Sequence, residues 1–103
     1  MPRPRRQEYE GAWHHVMNRG AGGAAILGDD ADKRLLIDCF IESAQRHAVE
    51  IHAYCIMSTH YHLLVRSTAS RLSDAMRFAS GKFTRIRNTR NGSDGPLFRG
   101  RFA

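Results

Sequence analysis

The chain carries the segment HAYCIMSTHYHLLV at residues 52–65, and the rest of the fold can be built outward from it. Apolar and polar residues alternate over His60–Arg66, which predicts a half-buried strand, and Val49–Met57 is also strand-like. Ser58 and Thr59 make a tight connection between the two. The segment therefore predicts a β-hairpin.

A helix is predicted on each side of this hairpin. Upstream, Asp29 or Asp30 caps a helix that runs to about His47, and downstream Ser70 caps a helix that ends near Asn91–Pro96. Each helix has one apolar stripe at helical spacing. The stripes are Leu35, Leu36, Cys39, Phe40 and Ala44 in the first helix, and Leu72, Ala75, Met76, Ala79, Phe83 and Ile86 in the second.

Two further strands are predicted near the ends of the chain. Trp13–Arg19 is a short strand that ends at a glycine-rich loop, and Leu97–Phe102 is a last strand. The order of elements is that of the split βαβ arrangement. The predicted fold class is α+β, a ferredoxin-like split β-α-β-β-α-β antiparallel sheet with two helices on one face. We expect a basic arm over residues 1–8 and one domain over residues 9–103, truncated after the last strand.

Length and composition agree with one small globular domain. The chain has 103 residues, of which 42% are hydrophobic and 25% charged. These values disfavour disordered, collagen-like and coiled-coil proteins, and the length leaves no room for a second core. Cys55 and Met57 are expected in the core of the sheet.

The charge of the chain is unevenly distributed. The formal net charge is +6, and residues 66–103 carry nine basic and two acidic side chains, whereas residues 1–65 carry seven and eight. Most of the basic residues are arginines, whose planar guanidinium groups bind phosphate at two points and stack on bases. The asymmetry suggests a nucleic-acid partner. The alternative is that the arginines serve only solubility.

The sequence also indicates a cellular compartment. Cys39 and Cys55 are isolated and lack a C-x-x-C spacing, as expected for reduced thiols inside a cell. No apolar run approaches the length of about 20 residues that spans a bilayer. We therefore expect a cytoplasmic protein without a membrane partner.

His60 and His62 are the candidate metal ligands. Alternate residues of a strand share a face, so both imidazoles point to the same side, while Tyr61, Leu63 and Val65 point to the core. Two imidazoles on an accessible face can bind one divalent ion. Taken alone, the spacing is weak evidence for a metal site, because it also fits two ordinary surface or hydrogen-bonded histidines.

Three motifs together resemble the REP-associated tyrosine transposases and related single-tyrosine insertion-sequence transposases. They are HHVMNRG at residues 14–20, HAYCIMSTHYHLLV at 52–65 and LFRGRF at 97–102. The family is marked by a His-hydrophobic-His (HUH) motif on a strand of a ferredoxin-like sheet, and the resemblance runs from about Tyr9 to the end of the chain. It implies that His60 and His62 hold Mg²⁺ or Mn²⁺ beside a phosphate of single-stranded or hairpin DNA. A tyrosine hydroxyl then attacks that phosphate, leaving a 5′-phosphotyrosyl link and a free 3′-hydroxyl.

The chain departs from the family pattern at two places. Ser58-Thr59 stands where the family usually has Pro-Asn, which is expected to loosen the turn and removes an amide from beside the metal. The family's catalytic tyrosine lies on a helix after the LFRGRF-like strand, and this sequence stops at Ala103 before such a helix. A third metal ligand is therefore not identified.

None of the other tyrosines is an obvious replacement for the nucleophile. Tyr61 is expected to point away from the histidines, Tyr54 to be a packing residue, and Tyr9 to lie in the terminal arm. We therefore expect metal-dependent DNA binding with little or no strand cleavage by this chain.

Several further residues are candidates for contacts with DNA. His15, Asn18 and Arg19 match the first motif, and His15 is alternatively a hydrogen-bonded strand residue that orders the sheet. Arginines at the end of the chain contact the DNA backbone or protect an edge strand against aggregation. The candidate DNA-binding residues are Arg3, Arg5, Arg6, Arg19, Arg85, Arg99 and Arg101.

The sequence leaves a second class of function open. A ferredoxin-like sheet also serves as the platform of non-catalytic nucleic-acid-binding modules, which stack bases on exposed aromatic side chains. A metal titration separates this class from a transposase-like site. The chain is compatible with a monomer or a homodimer.

Overall fold

The computed structural model describes residues 11–69, 71–100 and 102 of the chain. Its elements are β1 (Ala12–Arg19), α1 (Asp30–His47), β2 (Val49–Ile56), β3 (His60–Ser67) and α2 (Leu72–Asn91), with a short 3₁₀ turn at Ala21–Gly23. The predicted hairpin and both predicted helices are confirmed.

The three strands form one antiparallel sheet in the order β1-β3-β2. The hairpin strand β3 is therefore central, with Met17 of β1 opposite His62 on one side and Cys55 of β2 opposite it on the other. The register of β2 shifts between Ile51 and Ala53, where the strand has a bulge. This central position gives β3 neighbours on both edges.

Short-range signals set the ends of the two helices. Asp29 Oδ1 accepts a hydrogen bond from Asp32 N at 2.7 Å, so Asp29 is the N-cap of α1. Left-handed residues end both helices: Ala48 with φ 53° after α1 and Gly92 with φ 63° after α2. The cap predicted at Ser70 falls outside the described residues.

The two helices cover one face of the sheet and form the core with it. Ser43 Oγ of α1 donates to the carbonyl oxygen of Ala75 in α2 at 2.5 Å, and Lys82 pairs with Glu42 across the same interface. Burial of the apolar side chains between the helices and the sheet is the main stabilising contribution to the fold. The largest fully buried side chains include Val16, Leu27, Leu36, Cys39, Tyr61, Leu63, Val65, Leu72 and Phe83.

The α+β fold class is confirmed, with a difference in the last predicted strand. Within the described residues, Leu97–Phe102 forms only an isolated antiparallel bridge between Phe98 and Gly20. Gly100 has φ 110°, which interrupts an extended conformation. Phe98 still inserts its ring into the core, so the segment packs beside the end of β1 without becoming a ladder.

The expectation that Cys55 and Met57 lie in the core is wrong. Cys55 is exposed and Met57 retains 47% of its accessible surface. The cause is the bulge in β2, because one extra residue reverses the alternation of side chains after it. Ile56 and Tyr54 take the helix-facing positions instead, beside Leu63.

Neither helix has the length and apolar character required to cross a bilayer, a statement that holds for the residues described above.

Candidate functional site

The two histidines of β3 lie on the open face of the sheet, the face that α1 and α2 leave uncovered. Tyr61 and Leu63 are buried, with 0% and 2% of their surface exposed, whereas His60 and His62 are partly exposed. The ring centroids of His60 and His62 are 5.2 Å apart, with the rings nearly perpendicular. The predicted alternation therefore places the two imidazoles next to each other on one accessible surface.

His15 joins this pair from the neighbouring strand β1. Its Nε2 atom lies 3.1 Å from Nδ1 of His62, and the two rings stack with an interplanar angle of 15°. His15 was predicted either to belong to the site or to be a hydrogen-bonded strand residue. Its contact with His62 is compatible with both, because the residue is hydrogen-bonded within the sheet and also touches the candidate site. The pairing of β1 with β3 creates this contact.

Thr59 makes the corresponding contact to His60. Its Oγ1 atom lies 3.1 Å from Nδ1 of His60. The sequence identified Thr59 as part of the tight connection and as a departure from the family pattern, but not as a contact of the His60 ring. A signal was available, since a hydroxyl one residue before a histidine can orient its ring.

The Ser58-Thr59 turn is held firmly in place. Met57 N donates to the carbonyl oxygen of His60 at 2.8 Å, which closes the hairpin. The glycine-rich loop supports the turn from outside, because Leu27 N donates to Ser58 O and Gly20 N to Thr59 O, both at 2.9 Å. Both residues of the turn thus accept backbone hydrogen bonds from the loop, and the expected loosening of the turn stays a prediction.

The hydrogen bonds leave one nitrogen of each ring available. Nδ1 is engaged in both His60 and His62, and no hydrogen bond in the described part of the chain occupies their Nε2 atoms. Partial burial, and then the basic groups of His15 and His60, lower the pKa of His62. A lower pKa keeps the ring neutral, which is the form that binds metal.

The donor set fits a divalent ion in part. Two imidazoles on an open face can bind an ion whose other ligands are water and phosphate oxygens. Over residues 11–69, 71–100 and 102, no group of three or more His, Cys, Asp or Glu side chains is arranged to hold a metal. The described residues therefore offer two candidate nitrogen ligands, His60 and His62, and identify no third.

Arg19 of β1 lies at the end of the site that carries His60. It is exposed and pairs with His60 in the register of β1 and β3. Asn18 fixes the neighbouring backbone: its Oδ1 accepts from Arg19 N at 2.8 Å, and its Nδ2 donates to Gly100 O at 3.1 Å. A guanidinium group on this face can bind a phosphate near the histidines.

Of the remaining candidate arginines that the structure describes, Arg85 lies away from the histidines, whereas the backbone of Arg99 lies beside that of Arg19. Arg85 lines a groove of about 870 Å³ between α2 and the C-terminal segment, and α2 packs on the opposite side of the sheet from the histidines. Arg99 is exposed, and its backbone N donates to Arg19 O at 2.8 Å. Three candidates of the N-terminal arm and one near the C-terminus lie outside the described residues: Arg3, Arg5, Arg6 and Arg101.

The two described tyrosines do not face the histidines. Tyr61 is in the core, where burial raises its pKa. Tyr54 pairs with core-facing Leu63, so its side chain lies on the helix side of the sheet, although it is 59% exposed rather than packed as expected. Tyr9 falls outside the described residues.

Comparison with protein families gives one match over most of the chain. The sequence profile described as "Transposase IS200 like" matches residues 9–96. Among curated protein sequences, none matches this chain significantly.

Solved structures with the same fold include two from transposase studies. A REP-associated tyrosine transposase bound to a REP hairpin has a TM-score of 0.76 and 19% identity, and the match covers 100% of this chain and 60% of that one. A protein from Deinococcus radiodurans R1, whose assignment as a transposase is itself provisional, has a TM-score of 0.72 and 19% identity, with coverage of 100% and 83%. This chain thus spans 60% of the length of the hairpin-bound protein.

Proposed function

Because the chain belongs to the IS200-like transposase family, we propose that it forms the DNA-binding and metal-binding part of a transposase. The proposed ligand is single-stranded or hairpin DNA, and the proposed ion is Mg²⁺ or Mn²⁺ at His60 and His62. A structural neighbour bound to a REP hairpin supports the choice of DNA.

The observation that carries this proposal is the arrangement of the two imidazoles. His60 and His62 share the open face with their ring centroids 5.2 Å apart, and each has its Nδ1 atom engaged by a neighbour. A ring that donates from Nδ1 presents the lone pair of Nε2 to a metal. In this state Thr59 Oγ1 accepts from His60, and His15 Nε2 accepts from His62.

The residues around the pair have separate proposed roles. A divalent ion held at this site would neutralise charge on a phosphate group. His60 and His62 bind the ion, while Arg19 binds phosphate oxygens on the same face. Asn18 keeps Arg19 and the C-terminal segment in register through its two hydrogen bonds.

The same geometry leads us to propose DNA binding without strand cleavage for this chain. Cleavage by the family's chemistry needs a tyrosine hydroxyl within reach of the bound phosphate. Tyr61 and Tyr54 lie on the other side of the sheet, and Tyr61 is buried as well. Among the described residues, no tyrosine nucleophile therefore lies on the open face with His60 and His62.

A non-catalytic nucleic-acid-binding module is the second candidate function. It is favoured by the finding that no group of three metal-binding side chains forms within the described residues. In that case DNA or RNA binds the open face without an ion, and His60 and His62 are ordinary surface residues.

A titration with Mn²⁺ tests the proposal against this alternative. We expect Mn²⁺ to broaden the imidazole signals of His60 and His62 together in NMR spectra, and to increase the affinity for a hairpin oligonucleotide over that in EDTA. The double variant His60→Ala/His62→Ala should lose both effects. His47→Ala is the matched control, because His47 lies at the end of α1 and contacts Ser43 O and Phe78.

Two results would count against the proposal. Imidazole signals that do not respond to Mn²⁺, with equal DNA binding in EDTA, would favour the non-catalytic module. Binding that stays unchanged between about 50 mM and about 300 mM salt would argue against a nucleic-acid ligand altogether, because contacts to phosphates release counterions and weaken steeply with salt.

A further inference from the structure

Trp13 is a large aromatic residue on the same open face as the histidines. It is the only tryptophan of the chain, and 56% of its surface is exposed. Its position in β1 is opposite Arg66, on the face that the helices do not cover. Trp13 belongs neither to the hydrophobic core nor to the group of residues described above around His60 and His62.

The neighbours of Trp13 hold it in place while leaving it accessible. Its ring lies against the ring of His52, with centroids 4.5 Å apart and an interplanar angle of 48°. Arg66 is itself fixed, because Nε donates to Gly11 O at 3.3 Å and Nη1 lies 3.8 Å from Glu50 Oε1. A supported aromatic ring loses little conformational freedom when a ligand stacks on it.

The open face connects Trp13 with the histidine pair. Met17 is opposite His62 and lies four residues after Trp13 in β1, a distance of about 14 Å at the rise of a strand. Leu64, 41% exposed, lies on the same face of β3 between these positions. At the rise of about 3.4 Å per stacked nucleotide, about four nucleotides span this distance.

We propose that Trp13 is a base-stacking position for single-stranded DNA that runs along the open face toward His60 and His62. The inference rests on the proposed function and adds to it the place where an unpaired base binds. Charge favours nucleic acid over a protein partner, because Arg66 and Arg19 flank the path and the chain carries a net charge of +6. Base–aromatic stacking suits this role because every base has a π-face.

The fluorescence of the single tryptophan reports directly on this contact. We expect an oligothymidylate of about 12 nucleotides to quench it on binding, in EDTA as well as with Mn²⁺. An abasic deoxyribose-phosphate oligomer of equal length should bind through its phosphates and leave the fluorescence unchanged. Equal quenching by both oligomers would overturn the proposal. Quenching by added protein without DNA would overturn it too, in favour of a second copy of the chain.

Substitution of Trp13 separates stacking from charge. We expect Trp13→Leu to weaken binding of the oligothymidylate about tenfold or more, with an unchanged dependence on salt, while Trp13→Phe retains most of the affinity. Equal affinity of all three proteins would overturn the proposal. If the wild type binds no DNA at all, the proposed function fails instead, so the two failures are distinguishable. Should Trp13→Leu not fold, Trp13→Phe and the abasic oligomer still decide the question.

Discussion

His60 and His62, the proposed metal ligands, are oriented by different neighbours. Thr59 contacts Nδ1 of His60 from the preceding position in the chain, whereas His15 contacts Nδ1 of His62 from another strand. Both contacts are compatible with the tautomer in which Nδ1 donates and the lone pair of Nε2 is free, which is the tautomer that the proposed metal site requires. The metal affinity of the pair should therefore depend on two residues that do not bind the ion.

Thr59→Val tests this dependence with little change in shape. The valine cannot accept a hydrogen bond from Nδ1 of His60, so the ring loses the contact that orients it. We expect the affinity for Mn²⁺ to fall about tenfold, measured by isothermal titration calorimetry. Thr59→Ser keeps the hydroxyl and should retain the affinity of the wild type. Equal affinities of the valine and serine variants would show that the hydroxyl does not orient His60.

Among the connecting elements, the loop after β1 has the closest relation to the site. Gly20 N donates to Thr59 O, so the loop supports the turn that precedes His60. A Cβ atom on Gly20 would lie 2.3 Å from the carbonyl oxygen of Ala24, which is backbone and cannot rotate away. Glycine is needed here for close approach, and its φ of −61° is ordinary.

Gly20→Ala should therefore lower the free energy of unfolding, by about 1–3 kcal/mol, because the loop must shift to accept the methyl group. Gly81→Ala is the matched control. Gly81 lies inside α2, and a Cβ there meets no atom within 4 Å. Since alanine favours a helix over glycine, Gly81→Ala should raise the free energy of unfolding by about 0.5–1 kcal/mol. Urea denaturation measures both changes, and a neutral Gly20→Ala variant would contradict the clash.

In the whole molecule, the sheet separates the histidines from the described tyrosines. The helices cover the face that carries Tyr61 and Tyr54, and the candidate ligands lie on the other. A phosphate bound at His60 and His62 would therefore have the full thickness of the sheet between it and either hydroxyl. If DNA binds the open face as proposed, the sheet therefore lies between the DNA and both described tyrosine hydroxyls.

The chain should accordingly form no covalent adduct with DNA. We expect single-stranded and hairpin oligonucleotides incubated with the protein and Mn²⁺ to migrate freely in a denaturing gel. An adduct that persists in the gel would contradict this expectation. Its loss in Tyr9→Phe, but not in Tyr54→Phe, would then identify Tyr9 as the nucleophile.

Local patterns predicted a large part of the fold. The alternation in β3 predicted its buried and open faces, and Asp29 and the apolar stripes predicted α1 and α2. The same rule failed in β2, since the bulge after Ile51 moved Cys55 to the open face. A bulge depends on how two strands pair, so a pattern within one strand does not reveal it.

The candidate site shows the same division. That His60 and His62 share a face follows from chain geometry alone, because successive side chains of a strand alternate. That His15 lies 3.1 Å from His62, 47 residues away, and that Trp13 lies along the same face, follow from the register between β1 and β3. Register is set when both strands bury their apolar faces against the same helices. It is a property of the packed molecule, and no single segment contains it.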